Sequence, residues 1–255
     1  MALNLKTITA ALLLSATALS FSAPAHALDD AQKKEFGAFI KEYLIANPEI
    51  MLEVQEALEA KQSVARASQA ESAVADNKQA LFSSPDDLSI GNPKGDVTIV
   101  EFFDYNCGYC KRAMGDMDEL LAKDKNLRLV LKEFPILGPD SVAAHTVSDA
   151  VRKLAPEKYG EFQRTLLGGT EHADEANAMA LAVTLGLKEA DVRKKMADSP
   201  NERSVKEAYQ LATVIGISGT PSYIVGNEAV FGAVGAGPLE EKIANIRTCG
   251  KASCS

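Results

Sequence analysis

Two cysteines separated by two residues stand where a β-rich run gives way to a helical one, and this junction constrains the fold more than any other feature of the chain. Val97-Thr98-Ile99-Val100-Glu101-Phe102-Phe103 is dense in β-branched and aromatic residues and follows the turn-forming Gly91-Asn92-Pro93-Lys94-Gly95. Cys107-Gly108-Tyr109-Cys110 comes next, and Lys111 to Ala122 then carries Met114, Met117, Leu120 and Leu121 in a good helix sequence. This order places Cys107 at a helix N-terminus, where free N–H groups and the helix dipole favour a thiolate over a thiol. Cys110 lies about one turn further on, close enough to close a disulfide with Cys107 yet drawn into the helix. Cys107 is therefore the candidate nucleophile and Cys110 the resolving thiol.

The remaining elements predict a small α/β sheet with a helical insertion. Leu127 to Phe134 is a second β-rich run ended by Pro135, and Ser222 to Val225 turns at Gly226-Asn227 into Glu228 to Phe231 as a hairpin. Between them, about 139–216, Ala143, Val147, Ala150, Val151 and Leu154 keep a helical period, as do Val205, Ala208, Leu211, Ala212 and Ile215, with Gly186 and Gly216 as helix stops. A final helix is expected from about Pro238.

The N-terminal part has a different character. Lys6, the apolar run Ile8 to Leu19 and Ala25-His26-Ala27 have the layout of a cleavable secretory signal over 1–27, so a soluble exported protein beginning near Leu28 is expected. Without Lys6, 26 basic residues face 35 acidic ones, a net charge of −9, and nothing basic is clustered for nucleic acid. Phe36, Phe39, Ile40, Tyr43 and Leu44 share one helix face, and Asn47-Pro48-Glu49 reads as the start of a second helix carrying Ile50, Met51, Val54, Leu58 and Val64. That helix fades into the Ala, Ser, Gln and Glu-rich stretch 65–80. Self-association through residues 28–80 is the expected way of burying this apolar face, docking on the rest of the chain the alternative, with Ser83 to Asp87 as a linker and a domain boundary between 84 and 85.

All four cysteines fall in two close pairs, and an oxidising compartment lets such pairs persist as disulfides or cycle as redox centres. Cys249 and Cys254 flank Gly250 to Ser253, and a structural disulfide is the expectation, with a metal-handling or second redox pair as the alternatives. Half of a zinc site has the CxxC spacing too, but the strand-CxxC-helix context argues against a metal centre. His145 and His172 are expected as packing or surface residues with no catalytic role.

Phe102-Phe103-Asp104-Tyr105-Asn106-Cys107-Gly108-Tyr109-Cys110-Lys111, then Lys132-Glu133-Phe134-Pro135, then Gly219-Thr220-Pro221-Ser222, closely resembles the DsbA family of the thioredoxin superfamily over about Ile90 to Arg247. The resemblance implies a thioredoxin fold in 85–255 and a periplasmic thiol:disulfide oxidoreductase that needs no cofactor. Its implied partners are protein thiols and disulfides together with a membrane redox partner. It further implies a cis Pro221 whose loop, with Thr220, packs beside Cys107 and receives substrate together with Gly108 and Tyr109, and a buried acid at Glu101. If buried, Glu101 could relay a proton during exchange. Gly108-Tyr109 differs from the Pro-His of the strongly oxidising family members and equals the dipeptide of DsbC isomerases. A couple between about −270 mV and about −120 mV is implied. The N-terminal helices resemble ScsC-type proteins, oligomeric relatives linked to copper tolerance, which leaves copper capture by the same thiols as an alternative function.

Overall fold

The computed structural model describes residues 29–199 and 202–254; the expected leader, 1–27, lies outside them. The chain divides into two compact units, Met1–Ala57 and Leu58–Ser255.

In the first unit, helix α1 (Asp30–Ala46) is opened by a reciprocal cap in which the Asp29 carboxylate accepts from the Gln32 backbone N–H and the Gln32 side chain accepts from that of Asp29. Asn47 closes α1, its backbone and side-chain N–H groups both donating to the Tyr43 carbonyl, while its own carbonyl accepts from the Ile50 N–H at 3.2 Å in the turn that leads into the next helix. Helix α2 (Glu49–Asp76) begins two residues later. No residue of α1 is buried, and Phe36, Phe39, Ile40 and Tyr43 are each at least half exposed.

The second unit takes in the last turns of α2, and here the structure corrects the boundary read at 84/85. Ala70, Ala73 and Val74 fall at i, i+3 and i+4 and bury, with Leu81 of α3 (Lys78–Phe82), in a core that includes Val100, Phe102, Ile215 and Ile224. An alanine stripe is inconspicuous among Ser, Gln and Glu, but it lets a helix pack closely. Nor is Ser83 to Asp87 a free linker. Asp87 Oδ2 accepts from the buried Lys132 Nζ at 2.7 Å, and Asp86 pairs with Arg203 at 2.6 Å.

A five-stranded sheet follows in the order β1-β3-β2-β4-β5. Strands β1 (Leu88–Gly91), β2 (Val97–Phe103) and β3 (Leu127–Glu133) precede the helical insertion, and β4 (Ser222–Val225) and β5 (Glu228–Phe231) follow it. Central β2 pairs parallel with β3 and antiparallel with β4. Alternation along β2 feeds two cores: Val97, Ile99 and Phe103 face one, Val100 and Phe102 the other. Helices α4 (Gly108–Lys123) and α10 (Ala236–Cys249) cover the first face. Helix α9 (Glu202–Ile215) packs with α2 and α3 in the second core. The rest of the insertion is α5 (Pro139–Leu154), α6 (Pro156–Gly168), α7 (Glu175–Thr184) and α8 (Glu189–Asp198). Gly226 makes the β4–β5 turn at φ 61°, and a side chain there would meet Ile246 at 2.8 Å, so both conformation and space call for glycine.

Candidate active site

Strand β2 ends at Phe103, and a polar knot turns the chain into α4. The Asp104 carboxylate accepts from the Asn106 backbone N–H at 2.8 Å, the Leu137 backbone N–H at 3.0 Å and the Ser141 hydroxyl at 2.8 Å. Asn106 in turn bridges to the insertion, donating to the Ala173 carbonyl and accepting from its N–H, both at 2.8 Å. Asp104 and Asn106 are positioning residues that the sequence did not single out. Asp104 in the Asp104-Tyr105-Asn106-Cys107 turn was the available signal, since an Asp side chain accepts from the backbone N–H two residues on, as it does here from Asn106.

Cys107 is the N-cap of α4. Its sulfur accepts from the Cys110 backbone N–H at 3.3 Å and lies 3.2 Å from the Thr220 carbonyl oxygen, to which the thiol donates. The Thr220–Pro221 peptide bond is cis. The loop is braced by the Ser222 hydroxyl donating to the Gly219 carbonyl at 2.7 Å and by the Gly232 N–H donating to the Pro221 carbonyl at 3.0 Å. Gly108 and Tyr109 are open to solvent beside Cys107, with the Arg112 guanidinium 4.2 Å above the Tyr109 ring.

The two sulfurs are electrostatically unlike. A hydrogen bond from the Cys110 thiol, helped by Thr220 and by the Cys110 and Tyr109 N–H groups and opposed by burial, pulls Cys107 down to about 6. Cys110, fully buried, is pushed far up by the same sulfur–sulfur hydrogen bond, by burial and by negative charge on Cys107 and Glu101. Glu101 sits between Ile99 and Phe103 on the core face of β2, paired in register with Leu131 and Tyr223. It is 3% exposed, and its Oε1 has no hydrogen-bond partner among the described residues. Burial, then charge on Cys107 and Asp116, raises it to about 8.

The structure thus brings Cys107, Cys110, Glu101, Thr220 and Pro221 to one place. Cys249 and Cys254 are elsewhere, joined by a disulfide of S–S 2.08 Å that ties the last residue of α10 to the segment after it. His145 is buried with Nδ1 2.8 Å from Glu133 Oε2, and exposed His172 meets Asp140 at 3.0 Å. Burial opposes ionisation of Glu133, but His145, Ser148 and Tyr159 together hold its carboxyl below the usual range.

A mixed sheet with a CxxC pair capping the helix after its central strand, opposite a cis-proline loop, defines the thioredoxin-like class. The DSBA-like thioredoxin domain matches residues 98–244, more than half the chain, and the chain belongs to that family. The copper resistance protein ScsC N-terminal domain matches residues 32–65. Among solved structures, a thioredoxin-like oxidoreductase from Silicibacter pomeroyi is 36% identical, with TM-score 0.64 over 68% of this chain and 99% of that one. The thiol-disulfide exchange protein alpha-DsbA2 of Wolbachia pipientis is 26% identical, with TM-score 0.65 over 71% and 98%. A Proteus mirabilis ScsC variant is 25% identical, with TM-score 0.61 over 87% and 99%. The curated relatives matched are Na(+)/H(+) antiporters, such as NhaA 3 of Salinispora tropica at 25% identity over 55% of this chain. The chain spans about a fifth of that relative's length, 22%. No helix among the described residues is long and apolar enough to cross a membrane.

Proposed function

We propose that the chain catalyses thiol–disulfide exchange in exported polypeptides through Cys107 and Cys110. The observation that carries this reading is the Cys107 sulfur, held at the N-terminus of α4 against the cis-Pro221 loop with its pKa drawn down to about 6. At neutral pH Cys107 is mostly thiolate and attacks a substrate disulfide. One substrate sulfur leaves as a thiolate, and the other stays bonded to Cys107. Cys110 then loses its proton and attacks the Cys107 sulfur, which releases the second substrate thiol and leaves a Cys107–Cys110 disulfide. In reverse, the same steps donate a disulfide.

Glu101 fits the proton step. Charge on Cys107 is the second cause of its raised pKa, and that charge vanishes once Cys107 enters the mixed disulfide. Glu101 then ionises more readily at the moment Cys110 must lose a proton. Copper capture by the same two thiols is the weaker reading, since Cys110 is fully buried and its hydrogen bond to Cys107, burial and nearby negative charge oppose its ionisation.

Export rests on the leader read in 1–27. A membrane redox partner would then recycle the pair, and assembly into homo-oligomers would bury the exposed Phe36, Ile40, Tyr43, Val54 and Leu58. Several active sites around one cleft suit repair of wrong disulfides. The test pairs light scattering with two assays, oxidation of reduced ribonuclease and recovery of scrambled ribonuclease. It compares the chain from Leu28 with one beginning at Leu58, which keeps Ala70, Ala73, Val74 and Leu81 in their core. A start near Pro85 would strip that core. The longer chain is expected to be oligomeric and to recover the scrambled enzyme; the shorter should be monomeric, retain oxidation and lose most of the recovery. Absence of exchange in both would overturn the oxidoreductase reading, and two monomers at micromolar concentration would overturn the oligomer.

A further inference from the structure

A groove of ≈930 Å³ opens at the cis-Pro221 loop, entirely within the second unit. Its lining takes in Val64 and Ala67 of α2, Thr220 and Pro221 of the cis-proline loop, and Ala229 and Phe231 of β5. It is continuous with the active site, because Thr220 belongs to both and its carbonyl oxygen lies 3.2 Å from the Cys107 sulfur. We infer that this groove binds an extended stretch of the substrate polypeptide flanking the cysteine under attack, with helix α2 as a working wall of the substrate site. The inference rests on the thiol–disulfide exchange reading.

Three features argue for an extended polypeptide as the occupant. First, β5 is the last strand of the sheet, so its outer edge has no strand partner among the described residues. Such an edge can hydrogen-bond another backbone whatever its sequence, which suits an enzyme that meets many unfolded chains. Second, the walls offer apolar side chains to cover: Phe231 is 53% exposed and Val64 71%. Third, the lining charges are of both signs, Arg66 against Glu71 and Glu228, and the acids are already engaged, by Asn227 at 2.8 Å and Lys242 at 2.5 Å. That arrangement gives no concentrated field for a phosphate or a metal ion.

The α2 wall is held in place from two sides. Ala70, Ala73 and Val74 are buried behind it, and Glu71 accepts a hydrogen bond from Asn227 at the tip of the β4–β5 hairpin. From Ser63 to Glu71 the helix rises about 12 Å, a length that an extended chain crosses in roughly four residues. The groove therefore adds about four residues of recognition to one flank of the reacting cysteine.

The test uses the full mature protein and synthetic peptides bearing one cysteine as its mixed disulfide with glutathione. The peptides carry either about two or about eight residues on each flank in turn. Lengthening one flank is expected to lower KM about tenfold at nearly constant kcat, and Ala67→Trp, which fills the groove from an exposed position, should remove that gain. Phe231→Glu tests the β5 lining and should remove it too. An absence of any length effect in the native protein, or a gain that survives both substitutions, would overturn the proposal. If Cys107 fails to exchange even with the shortest peptide, the oxidoreductase reading itself falls and takes this inference with it.

Discussion

Cys107→Ser is expected to abolish exchange with every disulfide substrate, large or small, with the fold retained. Serine can still cap α4, but its hydroxyl stays protonated at neutral pH and forms no disulfide. The loss should therefore reach the uncatalysed background, a drop of several orders of magnitude on the scale typical of enzymes. Cys110→Ala should behave differently. The attacking thiolate remains, the resolving thiol is gone, and covalent complexes of the protein with its substrates should accumulate, visible on a non-reducing gel and dissolved by a small thiol. Because the largest pull on Cys107 comes from the Cys110 thiol, the Cys107 pKa should also rise in that variant, so trapping should be slower below neutral pH than exchange in the native protein. Full activity in Cys107→Ser would show that another group is the nucleophile.

Glu101→Gln should separate stability from activity. The native carboxyl titrates near 8 in the folded protein against an ordinary value of 4.5, so the folded state binds the extra proton. A group raised in this way supports folding fully below its unfolded pKa and withdraws that support as pH rises through the folded value. The glutamine variant should thus match the native protein near pH 4 and become more stable than it from about pH 5. The gap should widen by about 1.4 kcal/mol per pH unit and level off above about pH 8 at a few kcal/mol. Exchange should meanwhile slow about tenfold or more at the step that needs the Cys110 proton removed, within the usual range for a general base. Urea denaturation across pH, read beside single-turnover release from the mixed disulfide, checks both halves. A variant destabilised at pH 8 would show that Glu101 is ionised and satisfied in the fold.

How much of the fold and site is legible in the sequence follows from how local each signal is. Strands β2 and β3 are seven-residue runs rich in apolar and β-branched side chains, and the hairpin carries its Gly-Asn turn, so a small α/β sheet with a helical insertion can be read from pattern alone, whereas the thioredoxin fold follows only from the resemblance of the three motifs. Strand β1 escapes because it is four residues long with alternating half-buried and exposed positions next to an obvious turn. Lys132 looks like a solvated residue in a strand, yet it is buried because Asp87 and Glu207, 45 and 75 positions away, supply its counter-charges. The docking of α2 is hidden for a related reason. Ala70 and Ala73 carry little hydrophobic signal, and Val74 stands alone beside them among polar residues, until a facing surface exists.

The central claim is that Cys107 is a preformed thiolate while Cys110 is a shielded thiol, and titrating the protein reduced at Cys107 and Cys110, with the Cys249–Cys254 disulfide intact, by thiolate absorbance in the ultraviolet tests it most directly. One thiolate should appear with a midpoint near pH 6 and be absent in Cys107→Ser, with no second step through the ordinary thiol range near 9. Two thiols titrating together near 9, or a midpoint near 6 that persists in Cys107→Ser, would contradict it.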